Sequence, residues 1–172
     1  MELSLKKRRA VATLAVVAIT AVAAVGCSPA PKALLAVERT DMGGARVLVA
    51  PCPEYSAQLL SVAGSGGNIG FKRWAIVNDA MGGPLDSVEL FSAPQGWSVA
   101  ESELSDLKGG RTYTVVLDGG VRGMGLDGEV SFTPDRFEAL KPGQVLVRDG
   151  KGARTIKKSE FMKNDSGRCT PD

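Results

Sequence analysis

Residues 105–108 (Ser-Asp-Leu-Lys) have the Ser-x-x-Lys spacing in which a lysine activates a serine nucleophile. That chemistry needs both side chains on one helical turn, a desolvated amine and donors for an oxyanion. The partner motifs Ser-Asp-Asn and Lys-Thr-Gly are absent, and the chain is small for such an enzyme. The acid pairs Asp118/Asp127 and Glu101/Glu103 could do carboxylate catalysis on a sugar or hold calcium, but neither has a diagnostic spacing. Gly123-Met-Gly125-Leu-Asp-Gly128 fits Gly-x-Gly-x-x-Gly. A β run follows it where a dinucleotide site needs a helix, so a hairpin loop is expected. The glycines from Gly64 to Gly70 lack the Lys-Ser/Thr of a phosphate loop. The 172 residues contain no histidine. This excludes Ser-His-Asp and Cys-His catalysis, His-ligated zinc or haem and a histidine pH switch. No cofactor and no metal site is expected. Trp74, Trp97, Phe71 and Tyr113 are expected in the core. Trp97, after the Pro94-Gln-Gly96 turn, is the aromatic expected to be partly exposed and so the candidate ligand or partner face.

The N-terminus carries a different kind of information. Lys6, Lys7, Arg8 and Arg9 precede an apolar run, Ala10 to Val25, which ends in Ala24-Val25-Gly26-Cys27. A basic start, an apolar middle and small residues before a cleavage point make a secretory signal peptide over residues 1–26. The run is shorter than the ~20 residues of a bilayer span, the alternative reading being an uncleaved anchor. Small residues followed at once by cysteine resemble the lipobox of bacterial lipoproteins, with Ala24 where leucine is commoner. That resemblance implies lipidation of Cys27 and a location on the outer face of the cell membrane. Without the leader, 17 basic and 18 acidic residues remain, a net charge of −1. No basic stripe is left to hold nucleic acid.

Cys52 and Cys169 then form an even pair in an exported chain, for which a disulfide is the default and two free thiols the alternative. Residues 27–44, bracketed by Pro29, Pro31, Gly43 and Gly44, read as a tether interrupted by the short apolar stretch Ala33 to Val37. Residues 45–172 read as one domain. Strand-like runs cover 46–50, 57–63, 71–77, 87–91, 97–100, 111–118, 129–132 and 144–148, separated by Gly- and Pro-rich turns. Thr133-Pro134-Asp135 can start a short helix through Leu140, and Ser159 another to Asp165. Short strands with such turns predict a mainly β, antiparallel sandwich with one or two short C-terminal helices.

Leu104-Ser-Asp-Leu107-Lys-Gly-Gly-Arg-Thr-Tyr113-Thr-Val115 resembles the tyrosine corner of fibronectin type III and other immunoglobulin-like domains. The resemblance implies an immunoglobulin-like sandwich and a Tyr113 hydroxyl bonded back to the chain upstream. Val115 stands where antibody domains have cysteine, so Cys52 and Cys169 would not be their inter-sheet bridge. More widely, Pro51-Cys52-Pro53, Gly96-Trp97, Phe132-Thr133, Pro142-Gly-Gln-Val-Leu146 and Cys169 are similar to a pattern in small actinobacterial lipoproteins, a resemblance that implies no activity. The function expected is that of a lipid-anchored, non-catalytic module that binds an envelope protein or wall polymer. The alternative is a small surface hydrolase using carboxylates or Ser105/Lys108. The chain is too short for the two lobes of a solute receptor.

Overall fold

The computed structural model describes residues 33–66, 70–150, 152–163 and 166–170. The expected leader, Cys27 and the first part of the expected tether lie outside these residues.

Two antiparallel sheets pack face to face, the sandwich that the strand and turn pattern predicts. In the first, β1 (Leu35–Arg39), β2 (Ala45–Val49) and β5 (Ser87–Glu89) lie side by side, and the hairpin of β10 (Gln144–Asp149) and β11 (Gly152–Lys157) extends the sheet beyond β1. In the second, β6 (Trp97–Ser102), β4 (Lys72–Asn78), β3 (Tyr55–Ser65) and β7 (Thr112–Val121) are neighbours. The far side of β7 takes β8 (Met124–Gly125) at one end and β9 (Gly128–Phe132) at the other. Strand alternation explains the core. Tyr113, Val115 and Leu117 of β7 and Leu60 and Val62 of β3 face Val37, Val47 and Leu146 of the other sheet, and all are buried.

The tether expectation needs correcting. Leu35 to Arg39 is a strand in the middle of its sheet, paired with β2 on one side and β10 on the other, and residues 40–44 are the turn that follows. Residues 35–44, expected in the tether, therefore belong to the sandwich. A strand buried on both faces shows a continuous apolar run in place of alternation. The outer face of β1 is covered too. Ala36, Leu48 and Val147 point to it and are buried, and α2 (Lys158–Phe161) packs against β10 and β11 with Phe161 0% exposed. Glu38, on this face, is buried between Lys158 at 2.7 Å and Arg46 at 3.3 Å.

α1 (Pro134–Glu138) starts where expected, with Thr133 at the N-cap in extended conformation and Pro134 in the first turn, though no side chain caps it. α2 starts one residue before Ser159 and is shorter than expected. After α2 the chain reaches a 3-10 turn, Ser166–Cys169, where Cys169 is bonded to Cys52. The expected disulfide is therefore present. It pins the C-terminal segment to the loop between β2 and β3. Among the described residues no helix is long and apolar enough to cross a membrane.

Candidate functional site

The register of the sheets gives the sandwich two distinct ends. The chain enters at Ala33, beside the β10–β11 turn and the Pro51–Glu54 loop, because Leu35 pairs with Val49 and Ala36 with Val147. β1 then runs away from that end for roughly 17 Å. At the far end four segments distant in sequence converge: the β1–β2 turn, Leu90-Phe91 after β5, Ser105-Asp106-Leu107 before β7, and Pro134, Phe137 and Glu138 of α1. They enclose a cleft of about 690 Å³. That volume lies within the usual range for small-ligand sites.

Each wall is held in place. Thr40 and Gly44 close the turn through a 2.8 Å backbone bond, and Arg39 donates to the Glu138 carbonyl at 3.3 Å, tying β1 to α1. Phe91 adopts φ 67°, a left-handed conformation rare for a bulky side chain, with its ring set edge-on to buried Trp74 at 5.8 Å. Backbone strain of this kind persists only where the surroundings hold it, and it clusters at functional sites. Leu107 and Phe137 add apolar surface, while Met42 stands at the mouth, 91% exposed. Glu89, Asp106 and Glu138 line the cleft against the single cation Arg39, and Arg46 takes Glu89 at 2.7 Å from outside it.

The sequence-derived candidates divide around this cleft. Ser105 lines it, but Ser105 and Lys108 are both exposed and sit in a loop, not on one helical turn, and Lys108 Nζ lies 3.5 Å from Asp106. Glu101 is paired with Arg73 at 2.9 Å, and Glu103 lies exposed at the strand end. Trp97 requires correction. It is 8% exposed, at the start of β6 opposite Asn78, and Gly96 with φ 80° turns it inward. It lies at the opposite end from the cleft, because Asn78 ends β4 near the Leu59 side of the sheet. Phe71, at 66%, is the exposed aromatic.

Asp118 and Asp127 do influence each other, also at the end where the chain enters. Burial first, then Asp127, pushes the Asp118 carboxyl above the usual carboxylate range. Beside them the Tyr55 hydroxyl is buried without a hydrogen-bond partner among the described residues, and burial, then the two aspartates, push its pKa up. The Gly123–Gly128 stretch is the β7–β8–β9 return, a hairpin loop as expected. Among the described residues no group of three metal-ligating side chains converges.

Sequence reasoning missed the cleft because its walls come from three loops and a short helix whose residues carry no shared motif. Phe91 gave no signal, since nothing in its neighbours demands a positive φ. No protein-family model, no curated protein and no solved structure matches the chain.

Proposed function

We propose that this protein is a lipid-anchored module on the outer face of the cell membrane, held through Cys27, that binds an envelope protein or wall polymer in the cleft at the far end of the sandwich. The observation that carries this reading is the placement of the cleft. From Cys27 to Ala33 the chain can reach at most about 20 Å, so the end where Ala33 enters stays near the bilayer. The cleft sits at the other end and faces outward. Two acyl chains on Cys27 give stable anchoring without a spanning helix. The fold reading that goes with it is an immunoglobulin-type sandwich. Supporting this are the Tyr113–Lys108 bond and the strand neighbours β1-β2-β5 facing β3-β7-β9.

In-cell crosslinking of the tagged, lipidated protein, with identification of what is attached, tests this reading. One stoichiometric envelope partner is expected. Efficient crosslinking chemistry with no attached species, in cells expressing the protein well, contradicts it.

A further inference from the structure

Arg111 is 8% exposed, and among the described residues no hydrogen bond or ion pair reaches its guanidinium. Its nitrogens are not closed off from solvent, so the charged head is open to a ligand while the rest of the side chain is packed. Arg111 lines a pocket of about 90 Å³ together with Lys72, Lys108, Ser105, Glu103 and Asp106. A pocket of that size has room for several waters or one small oxyanion. Its rim is firm, because Tyr113 is bonded to both backbone polar groups of Lys108. Ser105 and Asp106 line this pocket and the large cleft alike, so a molecule seated in one can extend a group into the other.

We infer that Arg111, with Lys72 and Lys108, forms a carboxylate-binding subsite that receives an acidic group of the ligand held in the adjoining cleft. The charge count selects the ligand. Three cations against the two carboxylates of Glu103 and Asp106 leave a single positive charge, which a monoanion matches and a phosphate dianion exceeds. The planar guanidinium also suits a carboxylate, which it can take with two parallel bonds. The inference deepens the cleft reading given above, and its test does not depend on a partner being found.

The test uses the full-length lipidated protein in detergent micelles, titrated with acetate at constant ionic strength against chloride, while the side-chain Nε–Hε resonance of Arg111 is followed. A saturable shift is expected with acetate and none with chloride. Lys72→Gln or Lys108→Gln, which alter half-buried or exposed side chains, should weaken acetate binding at least about threefold with the fold intact. Arg111→Gln should abolish it, and the two lysine variants keep the test decisive if Arg111→Gln fails to fold. A shift that follows ionic strength alone, or one unchanged in both lysine variants, overturns the inference. Saturable binding of inorganic phosphate with none of acetate overturns the assignment to carboxylate. If acetate fails while crosslinking still finds a partner in the cleft, only this inference falls.

Discussion

The Tyr113 hydroxyl accepts a hydrogen bond from the backbone N–H of Lys108 at 2.7 Å and stands 3.2 Å from the Lys108 carbonyl. One side chain thus closes the turn that supplies Lys108 and Arg111 to the small pocket and that directly follows the Ser105–Leu107 wall of the cleft. Tyr113→Phe leaves that N–H without its partner and should destabilise the protein by about 1–3 kcal/mol. Tyr55→Phe should do the opposite, because the Tyr55 hydroxyl is buried with no partner among the described residues. Its removal should be neutral or stabilising by roughly 1 kcal/mol. Chemical denaturation of both variants checks the opposed signs. Equal losses would contradict this account of the two hydroxyls.

The Cys52–Cys169 disulfide spans 117 residues and holds the C-terminal segment over the outer face of the first sheet. In the chain-entropy account a loop of that length contributes about 4–5 kcal/mol. Replacing both cysteines by serine should lower stability by an amount of that order. It should also raise binding of a hydrophobic dye, as Phe161, Leu48 and Val147 lose their cover. Thiol labelling of the folded, oxidised protein should find nothing at either position.

Asp118 carries a pH signature. Its carboxyl is raised in the folded state, by burial and then by Asp127. A raised acid contributes stability at pH below its unfolded value and loses that contribution as pH rises through the folded value. At neutral pH the ionised group is therefore a cost. Asp118→Asn should stabilise the protein at pH 7, and the gain should vanish as pH falls below the ordinary carboxylate range. Denaturation midpoints across pH 3–8 would show the trend, and a gain independent of pH would refute it.

Anchoring is tested by mass. The membrane-extracted protein should begin at Cys27 and carry acyl chains, and Cys27→Ser should release the domain from the membrane fraction or leave the leader attached. A species beginning at Met1 in the wild type would rule out lipidation.

Several parts of this structure could be read directly from residues. Alternation in Tyr113, Val115 and Leu117 marked β7, and the Leu104-to-Tyr113 pattern implied the bond that Tyr113 makes. Thr133-Pro134 marked the start of α1, and the even cysteine pair marked the disulfide. β1 was hidden because a strand buried on both faces loses its period, and Leu34 to Val37 sits among the prolines and glycines of an apparent tether. β11 was hidden for another reason: Arg154, Thr155 and Lys157 give an edge strand polar residues that resemble a loop. The cleft and the Arg111 pocket depend on which loops share an end of the sandwich. That follows from strand order, which no local pattern encodes.

The central claim is that the cleft, facing away from the membrane, is where a partner binds. Photo-crosslinking amino acids placed singly at Met42 and Met124 test it most directly, since both positions are exposed but lie at opposite ends of the sandwich. In intact cells the Met42 position should trap one envelope species in high yield, and the Met124 position should not trap it. The same species captured equally from both positions, or from Met124 alone, would contradict the account.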